Sequence, residues 1–311
     1  MNAHRYQLFG LSIQSTLVLP GAPVTDDVHT IPDVIVSWED ESTWDGTGWR
    51  MAPPSSPPRL PSVGANRDGA TLLAWGDHLR FIISAMGDRI RVVSDPASLA
   101  FAPTVLVGFG LGYTLSMRGV VCLHGCALAR GTGAISLLGD SGAGKSTVAA
   151  ALVLRGAALL SDDLTVIRRT ALGIVAEPGC ANVRLRSASA MHLLGTEAGL
   201  ARVPYIDKLL WEASSANASV TRFFTHPVPL EAVYVLDATD HTAGVEVGPR
   251  LSRLDALHRL VAARYPPCQL RSLTQEHLNQ LSALTADVPL HVIRHSKRWD
   301  QLPELVERLS E

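Results

Sequence analysis

Over the first hundred residues, apolar positions recur at every second place in short runs separated by turn signals. Gln7–Ile13, Asp33–Trp38, Thr71–Trp75, Leu79–Ser84 and Ile90–Val93 carry alternating or β-branched side chains, the pattern of half-buried strands. Gly76-Asp77 and Gly87-Asp88 supply tight turns between them. The spacing predicts a small β-rich domain over residues 1–100. Within it Met51–Pro61 (MAPPSSPPRLP) is too rich in proline for a helix or a central strand and is expected to be an extended loop. Trp38, Trp44, Trp49 and Trp75 all fall in this half and are read as anchors of a small core. An uncharged stretch follows, with Pro103–Met117 at its centre. Its glycines and hydroxyl residues cut its apolar core below the ~20 residues of a membrane span, so a buried helix is expected. Its G-F-G-L-G run does not fit the dinucleotide fingerprint.

Beyond residue 120 the period changes to that of an α/β domain, expected over residues 101–311. Strands are predicted at Val120–Leu123, Ala134–Leu138, Ala157–Leu160, Leu164–Ile167, Val183–Leu185, Ala232–Leu236 and Leu290–Ile293. Helices are predicted at Ser146–Arg155, Leu251–Ala263, Thr274–Leu284 and Gln301–Leu309, with Gly156 just past the first of them.

Composition narrows the class. The 311 residues suit two domains at ~150 each, and 47% apolar content is enough for a sizeable core. A net charge of −2 argues against a nucleic-acid partner. The opening MNAHRYQLFGLSIQS has no apolar run after a basic start, so no signal peptide is expected. Cys122, Cys126, Cys180 and Cys268 form no zinc-type pairing and are read as buried free thiols of a cytoplasmic protein. Lysine occurs only at Lys145, Lys208 and Lys297, so 24 of the 27 basic residues are arginine.

One of those lysines stands in the decisive motif. Gly139-Asp140-Ser141-Gly142-Ala143-Gly144-Lys145-Ser146-Thr147 matches G-x4-G-K-[ST], after an apolar strand and before an alanine-rich helix. Glycines let successive N–H groups face one anion at the positive end of a helix. Lys145 then reaches the β- and γ-phosphates, and the Ser146 hydroxyl can ligate Mg2+. The following strand ends in Asp162-Asp163, two carboxylates expected at the C-terminal edge of a parallel strand, where ligands sit in open α/β sheets. Alternation along the strand would turn one toward metal and the other toward a nucleophile. This reading makes Asp163 the magnesium-side carboxylate and Asp162 the base for a hydroxyl proton. His124, at a strand end before Gly125, is expected beside the γ-phosphate.

Together the Leu123-His124-Gly125 strand end, the GDSGAGKST loop and Ser161-Asp162-Asp163 resemble the HPr kinase/phosphorylase family. The resemblance implies a P-loop kinase core of the phosphoenolpyruvate-carboxykinase-like type behind a small β-rich N-terminal domain. It also implies ATP and Mg2+ as cofactors, Asp162 as catalytic base, and Ser146 with Asp163 on the metal. Where that family carries E-I-R-G-x-G, this chain reads Glu177-Pro-Gly-Cys-Ala-Asn-Val-Arg184-Leu-Arg186. Glu177 is the corresponding metal candidate, and Arg184 or Arg186 the candidate for transition-state charge. The chain is also similar to HPr-kinase-like tailoring kinases of lasso peptides. That likeness runs through Tyr6–Leu11, Leu19-Pro20-Gly21, Pro227-Val-Pro229-Leu230 and Val288–Arg294. Lys208 stands where that group keeps a lysine; Lys297 looks ordinary. The implied activity is a serine kinase acting on a small precursor peptide, with the N-terminal domain aiding its recognition. Two alternatives stay open: a nucleotide-binding regulatory module without turnover, and a kinase of HPr or another carrier protein.

Overall fold

The computed structural model describes residues 3–27, 29–52, 60–171, 173–203, 206–213, 223–239, 244–266 and 270–311. Cys268 and most of the proline-rich segment lie outside them. The chain forms two compact units, Met1–Gly119 with Pro266–Ser272, and Val120–Tyr265 with Leu273–Glu311.

The first unit is built on an eight-stranded sheet. Its order is His4–Leu8, Leu11–Ser15, Val34–Asp40, Arg89–Ser94, Leu79–Ile83, Thr71–Trp75, Ser62–Ala65, Arg50–Met51. The run predicted as a single strand over Gln7–Ile13 is instead a hairpin. Phe9 (φ 55°) and Gly10 (φ 70°) turn the chain, and Leu8 pairs with Leu11. Leu8, Phe9 and Leu11 are all buried, so the turn lies inside an apolar run instead of a polar break. The uncharged stretch is helical over Ala102–Met117, with a wider π turn at Leu106–Gly110. It groups with the first unit rather than the second, so the division falls at Gly119, not at residue 100. The reason is packing: Phe109 meets the Trp75 ring edge-on at 5.5 Å, and Trp75 meets Phe81 at 5.0 Å. Among the described residues no helix is long and apolar enough to cross a membrane.

The second unit mixes α and β. Three neighbouring strands run parallel: Gly133–Gly139, Val228–Ala238 and Leu290–His295. Helices Lys145–Leu154 and Leu302–Ser310 bury Val148, Leu152, Leu305 and Leu309 against one face of this sheet. Helices Arg253–Ala262 and Gln275–Asp287 bury Leu260, Leu281 and Leu284 on the other. Burial on both faces explains why the first of these strands, Gly133–Gly139, is buried almost throughout instead of alternating. Strand Ala158–Ser161 departs from expectation. It is antiparallel to Cys126–Arg130 and lies at the sheet edge, because Cys126–Arg130 was not foreseen as a strand between the two. A second, three-stranded sheet joins Asn182–Leu185, Lys208–Glu212 and Ala201–Val203.

Gly125 separates strands Val121–His124 and Cys126–Arg130. A Cβ there would stand 2.5 Å from the Leu137 carbonyl oxygen. Backbone cannot yield as a side chain can, so Gly125→Ala should cost about 1–3 kcal/mol. A lower urea midpoint at unchanged m-value is the expected readout.

Candidate active site

Parallel strands deliver their C-terminal ends to one edge, and two of these ends carry the site. In register, Gly139 pairs with Leu236 and Ala238 with His295. The phosphate loop and the segment after His295 therefore leave the sheet side by side. Gly139 adopts φ 138°, and a Cβ there would lie 2.5 Å from the Leu236 carbonyl oxygen, so only glycine permits this exit. Gly144, at φ 94°, turns the chain into helix Lys145–Leu154, whose first N–H groups face the loop. Lys145 is only 7% exposed, and its ammonium donates to the carbonyl oxygens of Gly139 (2.8 Å) and Asp140 (3.1 Å). Burial draws its pKa down, opposed by Cys126, Asp162 and Asp163 nearby.

The two carboxylates point to different partners. Ser146 donates its hydroxyl to Asp162 Oδ1 at 3.0 Å, and the Arg184 backbone N–H donates to Oδ2 at 2.7 Å. The Cys126 thiol donates to the same Oδ1 at 2.7 Å. Burial, and then the Asp162 charge, hold that thiol well above its ordinary pKa, so it is a neutral donor.

Asp163 sits in a left-handed conformation, φ 73°, which turns it away from Ser146. Its Oδ2 accepts from the Arg184 guanidinium (2.5 Å) and the Tyr265 hydroxyl (2.8 Å), and its Oδ1 lies 3.7 Å from His124 Nε2. Burial pushes this carboxyl up, but Arg184, His124, Lys208 and the Tyr265 hydroxyl outweigh it and hold the pKa at about 2. His124 in turn is drawn down by burial against the pull of Asp163.

These groups meet in one cavity of about 480 Å³. Of the expected site residues, Ser141 to Thr147, His124, Asp162, Asp163 and Arg186 line it. Gly139 and Asp140 are not among its lining residues; they reach it through Lys145. Glu177 is not brought there either. It is buried on strand Gly173–Glu177, 3.8 Å from Arg168 Nε. The structure therefore does not bring Glu177 to Ser146 and Asp163, the residues with which it was expected to share the metal.

No protein-family model matches this chain. No curated protein matches it. A solved structure described as the Hpr(Ser) kinase/phosphatase from Coxiella burnetii aligns with 60% of this chain and 92% of its own, at 15% identity and a TM-score of 0.31. A likeness at that level carries no weight for function, which rests on the geometry above.

Around the cavity stand residues whose place sequence reasoning passed over. Cys126, read as a buried free thiol, donates to Asp162, and Tyr265, which carried no motif, donates to Asp163. Lys297, read as ordinary, lines the cavity with His295 and Trp299. Six of the 27 basic residues line it, and all three lysines are among them. No sequence signal marked the 295–299 segment; it reaches the site because it follows a strand that pairs in parallel with the phosphate-loop strand's neighbour.

Proposed function

We propose that this protein transfers the γ-phosphoryl group of ATP, with Mg2+, to a serine hydroxyl of a small precursor peptide in the cytoplasm, as an HPr-kinase-like P-loop enzyme. The observation that carries the reading is one cavity holding a phosphate loop with two carboxylates in different environments. Lys145 and the loop amides bind the triphosphate as a point charge and a ring of donors.

Ser146 Oγ and Asp162 Oδ1, 3.0 Å apart, are hard oxygen donors of the kind magnesium takes, so the residues fit the ion. Magnesium bound there would neutralise charge on the phosphate oxygens. This exchanges the roles expected for the two carboxylates: Asp162 serves the metal side, and Asp163 faces the acceptor. Asp163 orients the serine hydroxyl and receives its proton as the O–P bond forms and the bond to the ADP oxygen breaks. A pKa of about 2 suits this late transfer, because the loose transition state needs positioning more than a strong base. Arg186 and Lys208 offset charge on the transferring group. The N-terminal domain assists in recognising the peptide.

Incubating the protein with Mg·ATP and serine-containing precursor peptides, and reading peptide mass, tests this directly. A gain of one phosphoryl group with stoichiometric ADP is expected. Nucleotide binding with no transfer to peptide or carrier protein would favour the regulatory-module reading.

A further inference from the structure

The segment leaving strand Leu290–His295 reads His295-Ser-Lys-Arg-Trp299, and it forms part of the cavity wall. It is braced from within. The Ser296 N–H donates to Gln301 Oε1 at 3.0 Å, and the Arg298 N–H donates to Ser296 Oγ at 3.3 Å. Trp299 stacks on His192 with ring centroids 4.1 Å apart at 16°, and stays 39% exposed. Leu302 and Leu305 line the cavity beside it.

His295 supplies an independent pointer. It is 4% exposed, and its Nδ1 lies 2.8 Å from the Ser296 carbonyl oxygen. A carbonyl can only accept, so Nδ1 carries the hydrogen, and in the Nδ1–H tautomer that leaves a lone pair at Nε2. That Nε2 is buried and has no hydrogen-bond partner among the described residues. A buried polar atom of this kind is costly unless something meets it. The ring also stands at the phosphate loop, its Cε1 3.9 Å from where a Cβ on Gly144 would lie.

We propose that this segment is the nucleoside end of the site. The base lies against the Trp299 indole on the face that His192 does not take, with Leu302 and Leu305 as apolar walls. His295 Nε2 accepts a hydrogen bond from the nucleoside. The proposal rests on the nucleotide reading above, and deepens it by dividing the cavity between two chemistries. Loop amides and lysine ammonium groups suit phosphate oxygens. An indole, two leucines and a lone-pair acceptor do nothing for them, since a polyphosphate has no flat apolar face and few donors near neutral pH. A nucleoside has both.

Two probes separate these ends: Mg·ATP, and magnesium tripolyphosphate, which lacks the nucleoside. Calorimetric titrations of the full chain and of Trp299→Ala and Trp299→Phe are compared. Wild type should bind ATP more tightly than tripolyphosphate. Trp299→Ala should weaken ATP binding about tenfold and leave tripolyphosphate binding unchanged, which also shows that the variant is folded. Trp299→Phe should restore most of the ATP affinity. Equal effects of Trp299→Ala on both probes, or no effect on ATP, would overturn the proposal while leaving the nucleotide reading in place. Binding of neither probe by wild type would overturn both.

Discussion

A Lys145→Met protein should lose nucleotide affinity by about 100-fold, because one charge-assisted donor to phosphate is worth roughly 1.5–3 kcal/mol. Methionine keeps the length and apolar stem of lysine while removing the ammonium. That isolates the charge from the packing of a side chain that is almost wholly buried. The substitution leaves the Gly139 and Asp140 carbonyls without the donor they now share, which loosens the loop and adds to the loss. Calorimetry with Mg·ATP gives the affinity. Thermal unfolding supplies the control: wild type at a hundredfold excess of ATP over Kd gains about 2.7 kcal/mol, and the variant should gain almost none. A variant that still binds ATP within threefold of wild type would remove the phosphate loop from the functional reading.

The second large effect is expected at Asp163. Asp163→Asn should lower turnover by about a thousandfold, since a positioned proton acceptor contributes roughly 10²–10⁴, while ATP affinity is largely kept. Its stability consequence has a definite sign. The fold holds this carboxyl at about 2 against an ordinary 3.8, so the ionised form is the one the native state favours. The stabilisation, about 2 kcal/mol, is fully present above pH ~4 and is lost as pH falls through the native pKa. In the asparagine variant that acid-dependent loss should disappear, and neutral-pH stability should fall because Arg184 keeps its charge in a buried place. Tyr265→Phe removes only the hydroxyl bond, costs about 1 kcal/mol and should retain far more activity. Should the two variants lose equal activity, the loss at Asp163 would be one of shape rather than proton chemistry.

What could be read ahead of the structure was local, and what could not was contact between distant segments. The phosphate loop was legible because its working parts lie within nine residues: glycines for the turn, a lysine, a hydroxyl, and a helix that starts at once. Its adjoining strand and helix were legible for the same reason. The division of partners between Asp162 and Asp163 was not. It depends on the left-handed twist at Asp163 and on partners at positions 126, 184 and 265. Alternation along a strand predicted that the two carboxylates would diverge, but could not say which way each would face. The edge strand Ala158–Ser161 was placed correctly along the chain, yet its direction hung on an unforeseen neighbour. Glu177 was assigned by the order of motifs; its carboxylate faces Arg168 inside the sheet instead. Lys297 looked ordinary because the value of its position comes from strand pairing, which no local window contains.

The confinement of all three lysines to one cavity wall has a practical side in covalent chemistry. Every lysine of this chain is therefore a reporter on the same cavity. Reductive methylation with labelled formaldehyde would place NMR probes at Lys145, Lys208 and Lys297 and at no other side chain. Each resonance would then follow occupancy of the cavity from a different part of its wall. An arginine-rich surface, which such reagents pass over, adds no further side-chain signal, and the α-amine resonance is told apart by its lower pKa.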